Sequence, residues 1–269
     1  MSTRDFRFHP LRAALAATAL AALALPASAL TLEVTVENLA ASDGTAVAPL
    51  NVGFHSGSFD GFDIGGVANA SLVSAAELGN GSAWLADFAA ADAGATLGSI
   101  GAVLMPGTSA TMSFEVDPLA NPYFSFVAMV VPSNDFFIGN DNPTAYRLFD
   151  ATGALQIGSI VQTARQVWDA GSEVFDPAAA AFVGDATLRA DQNSVVALNF
   201  AEFAAYDGLT TAAGYTFHSG MTADTELYRI SFAVAAVPEP GTYALMGAGL
   251  FGIGWLVRRR RPQSDVSAS

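Results

Sequence analysis

The residues best able to do chemistry are carboxylates in two short loops. Residues 167–176 read VWDAGSEVFD, where Asp169, Glu173 and Asp176 crowd around the small Ala170-Gly171-Ser172 turn with no Lys or Arg among them. Like charges at this spacing repel unless something positive sits between them. Residues 130–143, VVPSNDFFIGNDNP, put Asp135 and Asp141 into a second loop. Asp135, Asp169 and Glu173, completed by carbonyls and water, make the shell of about six to eight oxygens that a hard cation such as Ca²⁺ takes. The same spacing also suits acids that merely end strands and face water. Asp176 precedes Pro177 and Asp141 lies within the turn sequence GNDNP, so each has a turn-capping role open to it.

Other chemistries have less behind them. His55 and His218 each sit in a Phe-His-Ser-Gly tetrapeptide, at 54–57 and 217–220. Asp60 and Asp224 could join them as ligands, but a strand-end role is the plainer one. The sequence carries no Gly-x-Ser-x-Gly elbow, Gly-rich phosphate loop or EF-hand loop. No catalytic residue is assigned, and the chain is not expected to be an enzyme.

The acids must be positioned by short strands. In TLEVTVE (31–37), TMSFEVD (111–117) and YRISFAV (228–234) apolar and polar residues alternate, as in half-buried strands. YFSFVAMVV (123–131) is apolar on both faces and predicts a central strand. LNVGFHS (50–56), TAYRLFD (144–150) and SVVALNF (194–200) are further candidates. The Ala-rich region 68–93 predicts short helices in a long connection over a sheet. Many strands without a βαβ rhythm indicate an all-β, antiparallel β-sandwich. If 144–150 and 157–163 run back along it, both acid loops meet at one end. Trp168 is then expected in the core or as a wall of the ion site. Phe136 and Phe137 are expected near a loop tip, where one could enter a lipid or partner surface.

Composition narrows the partners. Between residues 30 and 237 stand 22 acids against Arg147, Arg165, Arg189 and Arg229, a formal charge near −18, and the whole chain lacks Lys. Such a surface repels nucleic acid. With no Cys there are neither disulfides nor thiolate metal sites, and oxygen ligands favour Ca²⁺ or Mg²⁺. Residues 1–29 have the build of a secretory signal, with Arg4, Arg7 and Arg12, an apolar stretch over 13–25 and Ala27-Ser28-Ala29. Residues 242–257 are uncharged and precede Arg258–Arg261. They predict a short transmembrane helix with its arginines on the cytoplasmic side. Together with Pro238-Glu239-Pro240, the block 237–263 resembles the PEP-CTERM sorting signal of Gram-negative envelope proteins; 264–269 form a polar tail. That resemblance implies export, a membrane-held precursor, a sorting protease of the exosortase type as partner, and a final place at the cell surface or outside the cell.

The two acid loops resemble those of the spondin N-terminal domain family. Pro132-Ser133-Asn134-Asp135-Phe136-Phe137 and Trp168-Asp169-Ala170-Gly171-Ser172-Glu173 carry the likeness. FHSGSFDGFDIGG (54–66) and AAELGNGS (75–82) resemble earlier stretches of the family. The resemblance implies a β-sandwich over 30–236 whose loop acids bind Ca²⁺, with Asp135, Asp169 and Glu173 as ligands. Here Glu173 stands where the family has Asp, and Phe136 where it usually has Trp. The expected function is an exported calcium-binding adhesion or matrix protein of biofilm or exopolysaccharide assembly, meeting matrix polysaccharide or a cell-surface partner. The alternatives are a secreted hydrolase acting on polysaccharide with structural calcium, and a calcium-dependent lectin.

Overall fold

The computed structural model describes residues 29–235. The expected signal segment and the expected membrane span at 242–257 fall outside them. Among the described residues no helix is long and apolar enough to cross a membrane.

The chain forms β1 (Leu30–Asn38), β2 (Ala46–Val47), β3 (Leu50–His55), helices α1 (Ala70–Leu78) and α2 (Ser82–Ala91), then β4 (Thr96–Ile100), β5 (Ser109–Val116), β6 (Tyr123–Val131) and β7 (Phe136–Gly139). β8 (Ser159–Thr163), β9 (Trp168–Asp169), β10 (Ala197–Leu198) and β11 (Glu226–Val234) follow. One antiparallel sheet has the order β5-β1-β11-β8; the other has β10-β9-β7-β6-β3-β4, with β2 also on β6.

Alternation places the core. Leu32, Val34 and Val36 of β1 join Phe114, Ile230 and Phe232 from the neighbouring strands. They meet Val52, Phe54, Phe124 and Phe126 of the second sheet in one buried cluster. Each such side chain contributes about 1.5–3 kcal/mol when fully buried. The other face of the larger sheet is covered too. Leu72, Ala76, Trp84 and Phe88 of the helices pack on Val127 and Phe137. β6 is therefore covered on both sides, which is why its sequence is apolar throughout. The helices fall where the Ala-rich stretch predicts. Asn69 caps α1 by accepting from the Leu72 N–H (2.8 Å), and Gly79 ends it at φ +62°.

Two expected strands come out differently. Residues 144–150 form only isolated pairings, Arg147 with Tyr123 and Phe149 with Leu155. Asn142 Oδ1 takes the Thr144 N–H and hydroxyl, and the Leu148 and Phe149 N–H groups both turn to the Pro122 carbonyl. The Asn142 bond is local and competes with a sheet ladder, and the two bonds to one carbonyl leave no room for a regular one. Of 194–200, only Ala197 and Leu198 are strand.

The direction of the strands fixes the position of the acid loops. β8 ends at Thr163, and the next residues bond to the approach to β11: Ala164 N–H to the Thr225 carbonyl and Arg165 N–H to that of Ala223. β11 then runs away from this end and finishes beside Leu32.

Candidate functional site

Main-chain pairing joins the two acid loops. After β6, the Ser133 hydroxyl donates to the Val130 carbonyl and accepts the Phe136 N–H, closing a turn that holds Asn134 and Asp135. β7 pairs with β9, Phe136 opposite Asp169 and Phe137 opposite Trp168. The Ala170 N–H then donates to the Asp135 carbonyl at 3.2 Å. Asp169 Oδ1 accepts the Gly171 N–H at 2.7 Å, an Asx turn that tightens the loop. Gly171 has φ +66°, and a Cβ there would lie 2.7 Å from the Val195 carbonyl oxygen. Only glycine fits this position.

Asp135 is 2% exposed. Its Oδ2 accepts the Ser172 N–H (2.7 Å), the Ser172 hydroxyl (3.1 Å) and the Glu173 N–H (3.0 Å). Its Oδ1 accepts no hydrogen bond among the described residues. Burial, and then the Asp169 charge, push the Asp135 carboxyl up to about 7, against the pull of those donors.

A third segment closes the other wall. Gln192 and Ser194 N–H groups donate to the Ser172 and Gly171 carbonyls, and β10 pairs with β9. The Asn199 amide donates to Asp169 Oδ2 (3.0 Å) and to Glu202 Oε1. Residues Phe200–Tyr206 form a 3₁₀ stretch. Three residues per turn put Asn199 and Glu202 on one side. Phe203 and Tyr206 are buried and root the stretch in the core, and the Tyr206 hydroxyl donates to Asn134 Oδ1 (3.1 Å). Burial, then the charges of Asp169 and Asp135, push Glu202 up to about 7, while Asn199 pulls it down. The Tyr206 phenol is also raised, by burial and then by Glu202.

The result is a cleft of about 280 Å³ lined by Asn134, Asp135, Asp169, Glu173, Asn199 and Glu202, with Phe175 and Leu198 at its side. Asp135 and Asp169 thus share one site, as expected from the sequence. Glu173 borders it, but its carboxylate is engaged elsewhere. Its Oε1 accepts from the Asn134 amide (2.7 Å), and Oε2 faces Arg189 Nε at 3.4 Å. Both atoms of that ion pair are buried without a hydrogen bond. Burial raises the Glu173 carboxyl, opposed by Asn134 and Arg189. Among the described residues, no three acid or histidine side chains stand close enough to hold an ion without rearranging.

The remaining candidates lie elsewhere. Asp176 caps the Ala178 N–H (2.9 Å) and Asp141 the Ile64 N–H (2.7 Å). Phe136 and Phe137 are fully buried, one in the core between the sheets and the other under the helices. The expectation of an exposed aromatic tip is therefore wrong; strand pairing with β9 draws both rings inward. Trp168 is a half-buried wall packed near Phe62. His55 is buried, and its Nδ1 accepts the Gly57 N–H (3.1 Å). Desolvation lowers its pKa to about 4. The neutral ring therefore carries its proton on Nε2 and donates to Ser125 Oγ (3.0 Å). In this tautomer it cannot take a proton from Ser125. His218 is exposed and pairs with Asp43 at 3.2 Å.

Asn199 and Glu202 were not among the residues expected from the sequence. The available signal was the spacing of Phe200, Phe203 and Tyr206, a period of three rather than two.

Residues 236–261 match the PEP-CTERM protein-sorting motif. Motifs of this kind are recognised by exosortase, and the match marks the chain as exported and envelope-targeted. No curated protein matches the chain.

Proposed function

We propose that this exported protein is a calcium-binding β-sandwich of the spondin N-terminal type, acting in adhesion or in the extracellular matrix. The observation that carries the reading is the β7–β9 pairing, which holds Asp135 and Asp169 at one cleft although 34 positions separate them in sequence. The donor set is oxygen only, and buried Asp135 keeps one oxygen free of protein partners, which suits a hard cation. Asp135 and Asp169 would hold the ion, and Glu173 is the third carboxylate that the family resemblance supplies. Bound there, Ca²⁺ supplies positive charge: two like charges about 4 Å apart repel by ~4 kcal/mol at an effective dielectric of 20. It also links loops that are distant in sequence, so the reading couples ion binding to the shape of this end. The partner would be matrix polysaccharide or a cell-surface protein.

Calorimetry on residues 30–235 tests the ion, and a glycan and matrix binding array run with Ca²⁺ and with chelator tests the partner. Binding heat that disappears in Asp169→Asn, with array signals that need Ca²⁺, is the expected outcome. Absence of binding heat at millimolar Ca²⁺ sinks the reading.

A further inference from the structure

We propose that the hollow between the loop after β1 and the approach to β11 is a sugar pocket, which takes the acetamido group of an N-acetylated sugar. This rests on the matrix-polysaccharide reading of the partner above and names its sugar. The pocket shares no lining residue with the acid cleft and needs no ion.

The chain builds the hollow in advance. Asn38 holds both ends of the loop that follows β1: its Oδ1 accepts the Ala40 N–H (3.0 Å), and its amide donates to the Thr45 carbonyl (2.8 Å). The Gly44 N–H closes a turn on the Ala41 carbonyl (2.8 Å), and the Tyr215 hydroxyl donates to the Gly44 carbonyl (2.8 Å). On the facing side Asp207 accepts the Ser219 N–H (2.8 Å). The His218 N–H joins the two sides by donating to the Asp43 carbonyl (2.9 Å). Between them lies a cavity of about 200 Å³. Leu227 and Thr45 are buried at its floor, Ala40 and Met221 are half-buried against the core, and Asp43 and His218 stand at the more open rim.

The rim decides which ligands fit. His218 Nδ1 lies 3.2 Å from Asp43 Oδ2 and 3.2 Å from the Thr216 carbonyl, two acceptors, so Nδ1 carries a proton. The neutral ring then presents Nε2 as an acceptor, its direction set by the carboxylate behind it. Asp43 adds a second acceptor. A ligand must therefore bring N–H or O–H donors to the rim and an apolar part to the floor, where Leu227, Met221 and Ala40 carry no charge. An anion is repelled by Asp43 and by a surface on which acids far outnumber arginines. A lysine side chain enters tip first and would set its ammonium on the uncharged floor, which is costly. An acetamido sugar meets both demands. Its methyl fills the floor, while its amide N–H and a neighbouring ring hydroxyl reach Nε2 and the Asp43 carboxylate. The cavity is smaller than the ~300 Å³ at which pockets for drug-sized ligands begin, so it reads one sugar residue rather than a longer stretch.

Methionine-methyl NMR on the full-length chain, titrated with methyl glycosides, tests this. Methyl N-acetylglucosaminide and N-acetylgalactosaminide should shift the Met221 methyl signal, in Ca²⁺ and in chelator alike. Methyl glucoside should bind about tenfold more weakly, since it lacks both the methyl and the amide N–H. Methyl glucuronide and Nα-acetyl-lysine methylamide should leave the signal in place. His218→Phe should weaken binding by about tenfold through loss of the acceptor. Ala41→Trp, a change at an exposed residue of the lining, should block the mouth and abolish the shift. A glycoside response at other methionines with Met221 unmoved overturns the pocket and leaves the matrix reading standing. A lysine amide that moves Met221 where the glycosides do not overturns the sugar assignment in favour of a basic protein partner. Silence from every glycoside overturns the pocket, and the matrix array then judges the wider reading separately.

Discussion

Two corners of the molecule gather carboxylates, and they treat them in opposite ways. One is the cleft of Asp135, Asp169 and Glu202. The other is the loop after β3, where Asp60 stands near Asp63 and Asp141 beside a surface hollow. Both depart from ordinary titration: burial and then Asp63 raise Asp60 too. The difference lies in what holds the charges. In the cleft, Asp135 takes two main-chain N–H groups and a hydroxyl, and strand pairing fixes its neighbour. In the loop, Asp60 and Asp63 are exposed, and Asp141 caps the Ile64 N–H. The two corners thus differ less in charge density than in how firmly the fold holds the charges together.

That comparison can be broken by experiment. The largest effect should come from Asp135→Ala, which leaves the Ser172 and Glu173 N–H groups without an acceptor. Each buried donor left unpaired costs about 1–3 kcal/mol. Urea unfolding should show a loss of about 3 kcal/mol, while Asp63→Ala should stay within about 0.5 kcal/mol of wild type. Equal losses would erase the distinction.

The next effect is the response to the ion. At a hundredfold excess over Kd, Ca²⁺ should stabilise by about 2.7 kcal/mol. Melting curves should lose most of this response in Asp169→Asn and keep it when Asp60, Asp63 and Asp141 are all changed to Asn. A response lost only in the triple variant would move the site to the other corner.

A smaller effect concerns pH. Asp135 titrates at about 7 when folded, against 3.8 as a free side chain. The folded state thus binds more protons than the unfolded one between these values, and the ion-free protein should gain stability as pH falls from about 7 toward 5. Each such proton adds at most about 1.4 kcal/mol per pH unit. Glu202 acts in the same direction. His55 opposes them below 6.5, since its folded pKa is about 4 and the unfolded chain takes up the proton first. Two groups outweigh one, so melting temperature in chelator should be higher at pH 5.5 than at 7.5. Saturating Ca²⁺ should reverse the order, because protons compete for its ligands. The smallest change belongs to Asp176→Asn, whose amide oxygen can still accept the Ala178 N–H and which should leave the calcium response intact in the same melting assay.

Much of the fold was legible because it depends on near neighbours. The alternation of Leu32, Val34 and Val36 gives β1 its inner face, and the two-sided run at 123–131 marks a strand covered twice. The segment Asn142–Phe149 misleads because the Asn142 side chain takes the Thr144 N–H and the Pro122 carbonyl takes those of Leu148 and Phe149, a competition that hydrophobic pattern does not encode. At the site, Asp135 and Asp169 announce themselves as acids in tight turns. Glu202 does not, because it lies outside both acid loops, just past the candidate strand 194–200, where only an aromatic spacing of three hints at the 3₁₀ stretch that delivers it. Arg189 is a similar case: only the fold brings it to Glu173, and so only the fold shows that this acid is already spoken for.

The direction of β11 has a consequence for how the molecule meets its surroundings. Nine residues at about 3.3 Å each carry the chain roughly 30 Å from the cleft end before the sorting motif begins at 236. An exosortase acting at that motif would thus work at the end of β11 away from Asp135 and Asp169, and a ligand held by these two acids would leave the approach to the motif clear.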